Sequence, residues 1–199
     1  MKIWHIIPLL IAMFFPETGA VMAAQKPLVI LMPGADGPVQ DDFLMRNRNT
    51  FRNAGFDTNV VTVPRVAANT SASAGGKRKV FLVGVGRGAE QVAKALTMGA
   101  MPNAAVMVSG DYEGAMSILN TPMLLTETLV VHHRQDACAS ASPVTVARFV
   151  EWSKGKVRVV WMSMPGPEMQ DPCSPFGAHG FYLSDREPVA EIIKFLQSQ

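Results

Sequence analysis

The stretch VFLVGVGRGAEQVAKAL, residues 80–96, passes from a β-branched apolar segment through a glycine-packed corner into a helical pattern. Such a corner can lift a nucleophile above a sheet, cradle a cofactor phosphate on backbone N–H groups, or only turn the chain tightly. Three other segments carry groups able to do chemistry: MPGADGP (32–38), HHRQDACAS (132–140) and DPCSPFGAHGFY (171–182). Taken singly, their residues also have structural readings. Gly34 and Gly37 suit turns, Asp136 suits an Asx-turn or a helix cap, and His179 suits a surface loop. The 4 histidines and 2 cysteines fall at no metal-ligand spacing such as H-E-x-x-H, so no metal site is expected.

The elements that must position these groups are legible as short apolar runs bounded by Gly, Pro or Asn. They are LVILM (28–32), NVVTV (59–63), VFLVG (80–84), AAVMVS (104–109), TLVVHH (128–133) and VRVVWM (157–162). Near-continuous hydrophobic runs suit strands buried on both faces. Helical patterns lie between most of them: Ala89, Val92, Ala93 and Leu96 share one face, as do Val189, Ile192, Ile193 and Leu196 near the C-terminus. Ser184 with Glu187 reads as a capping box for that last helix, and Ser142-Pro143 as the start of another. Alternating strands and helices predict right-handed crossovers and a mostly parallel sheet covered on both faces. Ligands of such sheets bind beyond the carboxyl ends of the strands, where the candidate segments fall. Residues 65–77, RVAANTSASAGGK, read as a flexible surface connection, too short and polar for a packed crossover helix.

In their order along the chain, LVGVGRGAE, TLVVHHRQDAC and DPCSPFGAHGFY resemble the α/β-hydrolase family, specifically its small exported bacterial members. The resemblance covers about Pro27 to Leu196. It implies an α/β-hydrolase-like three-layer sandwich and an ancestral ester or related acyl hydrolysis through a Ser-His-Asp triad. In that family the elbow reads G-x-S-x-G, followed along the chain by the acid and then the histidine. Carried onto this chain, Gly84 and Gly88 are the flanking glycines, Asp136 orients the imidazole, and His179 is the general base. The oxyanion donors would be the backbone N–H of Arg87 and one from the loop containing Gly34 and Ala35.

The nucleophile position is Gly86, which has no side chain to attack a carbonyl, and no other G-x-S-x-G occurs. Ser109, at the end of the next strand, would have to reach across without an elbow. The expected function is therefore a degenerate hydrolase acting as a binding or accessory protein, with Asp136 and His179 holding an ester or carboxylate ligand. A residual ester hydrolase in which His179 activates water directly is the alternative. A weaker alternative is dinucleotide binding, since Gly84-x-Gly86-x-x-Ala89 fits the loose fingerprint and Asp111 lies some 25 residues on. No cofactor is expected, and the absence of G-K-[ST] excludes a P-loop.

Composition sets the compartment and class. Lys2 followed by an apolar run from Ile3 to Phe15, Pro16 and small residues predicts a signal peptide over residues 1–24. The remaining 25–199, about 175 residues, fit one domain with a sizeable core, with no membrane anchor once the leader is cleaved. A formal net charge of +2 is too small to suggest nucleic-acid binding. In a secreted or periplasmic setting Cys138 and Cys173 are expected to form a disulfide.

Overall fold

The computed structural model describes residues 25–60 and 78–199. The expected signal peptide and the connection at 65–77 lie outside the described residues. Among the described residues six strands form one parallel sheet: β1 (Leu28–Met32), β2 (Asp57–Val60), β3 (Val80–Val85), β4 (Ala104–Val108), β5 (Thr128–His133) and β6 (Val157–Met162). They lie in the order β2-β1-β3-β4-β5-β6, with every neighbouring pair parallel.

Five of the six apolar runs lie in strands, and of the run at 59–63 the described part, Asn59 and Val60, closes β2, the rest lying outside the described residues. Burial explains how the strands differ. Every residue of β3, β4 and β5 is buried, as continuous β-branched runs in the middle of a two-faced sheet require. The edge strands are less covered: β2 alternates between exposed and half-buried positions, and β6 is buried only at its ends, Val157 and Met162, which accounts for Asp57, Asn59 and Arg158 in their sequences.

Two cores result, one on each face. Ile30, Leu82 and Met107 point to α3 (Arg87–Thr97), α4 (Tyr112–Leu119) and α5 (Pro143–Trp152), meeting Ala89, Val92, Tyr112 and Phe149. Leu31, Phe81, Val83 and Val106 point the other way, to α1 (Phe43–Arg46), α2 (Arg48–Asn53) and α6 (Arg186–Gln197), meeting Phe43, Phe51, Val189 and Ile192. This is the expected three-layer sandwich with helices on both faces.

The helix starts agree with the sequence in one case and not in another. Ser142 caps α5, its Oγ accepting from Val144 N–H at 3.4 Å, with Pro143 in the first turn. The capping box read at Ser184 and Glu187 is not formed. The residue before α6 is Asp185, whose carboxylate is held by Arg46, while Ser184 Oγ donates to the Pro165 carbonyl at 3.1 Å. A long-range ion pair has displaced the local cap. Among the described residues no helix is long and apolar enough to cross a membrane.

Candidate active site

The elbow is defined by two glycines that cannot be anything else and one that could. A Cβ at Gly84 would lie 2.2 Å from the Gly88 carbonyl oxygen, and a Cβ at Gly88 would lie 1.9 Å from that of Met32. Those two let α3 start directly against β3 and β1. Gly86 differs: a Cβ there meets nothing nearer than Gly34 Cα at 4.0 Å. Its backbone, at φ 54° and ψ −120°, is a conformation that side chains rarely adopt, so substitution is strained although there is room. Gly86 N–H donates to Val108 O at 2.9 Å, which fixes the corner to the end of β4.

The acid and histidine segments meet beside it. Asp136 lies just past β5, three residues on, with its carboxylate fully buried. Oδ1 accepts from Cys138 N–H at 2.9 Å, an Asx-turn, and Oδ2 faces His179 Nδ1 at 2.8 Å. Because the carboxylate accepts, His179 carries its proton on Nδ1, leaving the Nε2 lone pair free to act as a base or an acceptor. The structural reading of Asp136 and the paired reading are thus both realised by one side chain, each oxygen serving one of them.

A cleft of about 570 Å³ opens over these groups and is lined by Gly34, Ala35, Gly86, Arg87, Ser109 and His179, among others. Gly86 and His179 therefore open onto the same cleft. Arg87, as the first residue of α3, has a backbone N–H with no intrahelical acceptor. The expectation for Gly34 needs correction: its N–H donates to Asp42 Oδ2 at 2.9 Å and is not free to meet a ligand oxygen. Burial raises the pKa of Asp42, against the pull of the Gly34, Leu44 and Met45 N–H groups and of Arg46.

Cys138 and Cys173 are joined in a disulfide, with their Cα atoms 4.6 Å apart. The bond ties the acid segment to the histidine segment, and both cysteines line the cleft. Asp111, weighed as the acid of a dinucleotide site, caps α4 instead, its Oδ1 accepting from Gly114 N–H at 2.9 Å. No group of three or more His, Cys, Asp or Glu among the described residues is placed to hold a metal ion.

Three neighbours of the site escaped sequence reasoning. Asp42 stands before the apolar run of α1, and a helix-capping position was a usable signal for it. Arg46 and His132 gave none, since each is recruited by residues far along the chain or by burial. Arg46 forks onto Asp185, through Nε to Oδ2 at 3.0 Å and Nη2 to Oδ1 at 2.7 Å, and Nη2 also reaches the Gly180 carbonyl at 2.9 Å. His132 is fully buried behind Asp136, with Nε2 3.7 Å from Oδ2.

The sheet order, the elbow between β3 and α3, and the acid and histidine at the strand ends define an α/β-hydrolase fold. Among solved structures the chain is similar to a Pyrococcus furiosus esterase, at 12% identity and a TM-score of 0.62, covering 87% of this chain and 82% of that one. It is also similar to an alpha-beta serine hydrolase homologue from Coxiella burnetii, at 17% identity and a TM-score of 0.60, covering 87% of this chain and 86% of that one. No protein-family model matches the chain, and no curated protein does.

Proposed function

We propose that this protein is an exported, non-hydrolysing relative of serine ester hydrolases that binds a small acyl compound in the cleft. The observation that carries this reading is a hydrolase elbow held at φ 54° and ψ −120° by a residue with no side chain, beside an Asp136–His179 pair at 2.8 Å. The ligand's carbonyl oxygen takes the Arg87 N–H, with Ala35 in the part first read for Gly34, and His179 Nε2 accepts from the ligand or from water. Asp36, Asp42, Glu90 and Asp111 line the cleft against the single guanidinium of Arg87, so its field favours a neutral ester over a free carboxylate. The Cys138–Cys173 disulfide supports a location outside the reducing cytoplasm.

The test is Gly86→Ser compared with the natural chain. A triad serine is worth up to ~10⁶ in kcat, so even a partly restored site should raise short-chain aryl ester hydrolysis by at least about 10²-fold. The variant should label with a fluorophosphonate where the natural protein does not. It should also be less stable by roughly 1–3 kcal/mol, because serine must adopt a backbone that glycine enters freely. Turnover by the natural protein that disappears in His179→Ala would replace this reading with that of a hydrolase using a directly activated water. Absence of any gain in the serine variant would mean that the surrounding pocket no longer serves acyl chemistry.

A further inference from the structure

Ser109 combines two features that protein interiors ordinarily avoid. Its Oγ is buried and is the one such side-chain atom without a hydrogen-bond partner among the described residues. Its backbone φ is +43°, a region that non-glycine residues enter at an energetic cost. Nothing in the packing of β4 asks for a hydroxyl there, since the strand that precedes it is wholly apolar and buried. An orphan polar group in a native interior calls for a partner that is absent from the folded chain itself.

Its position says where that partner would be. Gly86 N–H donates to the Val108 carbonyl, and Ser109 N–H donates to the Val131 carbonyl at 3.0 Å. Ser109 is thereby fixed at the carboxyl end of β4, one strand from the elbow and one from the acid segment. It lines the same cleft as Gly86, Arg87 and His179. It is not a substitute nucleophile, because no base is hydrogen-bonded to its hydroxyl. The same cleft also has the apolar side chains of Val85 and Phe43 in its lining.

We propose that Ser109 determines specificity by hydrogen-bonding a polar atom on the acyl part of the ligand, so that the cleft selects hydroxy- or oxo-acyl groups over plain alkyl ones. This rests on the reading of the cleft as an acyl-binding site. A ligand with a bare alkyl chain leaves the hydroxyl unpaired, whereas one bearing a hydroxyl or carbonyl at that point satisfies it. A site built around a hydrogen bond discriminates against the analogue that lacks it.

The experiment is a calorimetric titration of ethyl butyrate and ethyl 3-hydroxybutyrate into the natural protein and into Ser109→Ala, with thermal midpoints of both ligand-free proteins. The natural protein should bind the hydroxy ester about five- to ten-fold more tightly, the worth of one neutral hydrogen bond. In Ser109→Ala the ratio should fall to about one, with the ligand-free midpoint unchanged or higher because an unpaired polar group has gone. Equal binding of the two esters by the natural protein, a preference that survives the substitution, or a lower midpoint in the variant would each overturn the proposal. In those cases the acyl-binding reading stands. Failure of both esters to bind would remove the two readings together.

Discussion

His132, buried at the end of β5, carries its proton on Nε2, because the atom 2.8 Å away is the Ala141 carbonyl oxygen, which can only accept. Nδ1 then faces the Tyr112 hydroxyl at 3.5 Å, and the ring stands edge-on to Tyr112 and Trp161. Burial pushes its pKa down to about 4, against the pull of the Asp136 carboxylate, with His179 and His133 reinforcing the fall. The unfolded chain titrates this histidine near its ordinary value of 6.5. Between the two pH values the unfolded state binds more protons, so this contribution is complete above 6.5 and is lost as pH falls towards 4. It amounts to about 3 kcal/mol at most. Asp42 works with the opposite sign. Its raised folded pKa gives stability present below 3.8 that is lost as pH rises through the folded value, which blunts the acid side of the curve. His132→Gln keeps a donor for Ala141 and removes the titration. Urea midpoints of the natural protein should climb from pH 4 to 6.5, and those of the variant should climb markedly less. An unchanged slope would assign the pH dependence to other groups.

At the scale of elements, the segment that delivers His179 has no regular secondary structure from the end of β6 to α6, and side chains hold it in place. Arg46 of α1 does so from beyond the histidine. It binds the Gly180 carbonyl and Asp185, donates to the Asp41 carbonyl, and lies over the Tyr182 ring at 5.2 Å. Arg46→Ala should cost roughly 2 kcal/mol, as expected for charge-assisted hydrogen bonds at a half-buried site. Arg46→Lys should recover little of it, because an ammonium cannot fork onto a carboxylate. Thermal midpoints would show this as a loss of several degrees in both variants, and full recovery by lysine would contradict a geometric role. The case also marks what a sequence can show. The strands were legible because burial on both faces writes itself as uninterrupted Val, Ile and Leu. The elbow and the Asp136–His179 partnership were legible because close backbone approach demands Gly84 and Gly88, and because the order of segments resembles a known fold. Arg46, His132 and the absent cap at Ser184 were not legible, since each depends on a residue that comes near only after folding. Gly34 was misjudged for the same reason, its N–H having been claimed by Asp42, eight residues on.

Across the whole molecule, the loop carrying His179 is fastened on both sides of the histidine. Cys173 holds it to the acid segment six residues before, and Arg46 holds it to α1 from Gly180 to Asp185. The two fasteners act on different states. The disulfide restricts mainly the unfolded chain, and with a separation of 35 residues its removal should cost about 3–4 kcal/mol. Arg46 acts only in the folded chain. If either one alone keeps His179 against Asp136, the single losses leave the pair intact, and only the combined variant frees the loop. Cys138→Ser with Cys173→Ser, Arg46→Ala, and the combination of all three form a cycle that can be read in denaturant unfolding and in the NMR signal of the His179 Nδ1 proton. That proton should persist in each partial variant and vanish from the triple one. The triple variant should also lose about 1 kcal/mol beyond additivity, within the range found for elements that share a partner. Additive losses with the proton still in place would show that the buried Asp136 carboxylate and its Asx-turn suffice to dock the histidine, and that the fasteners serve stability alone.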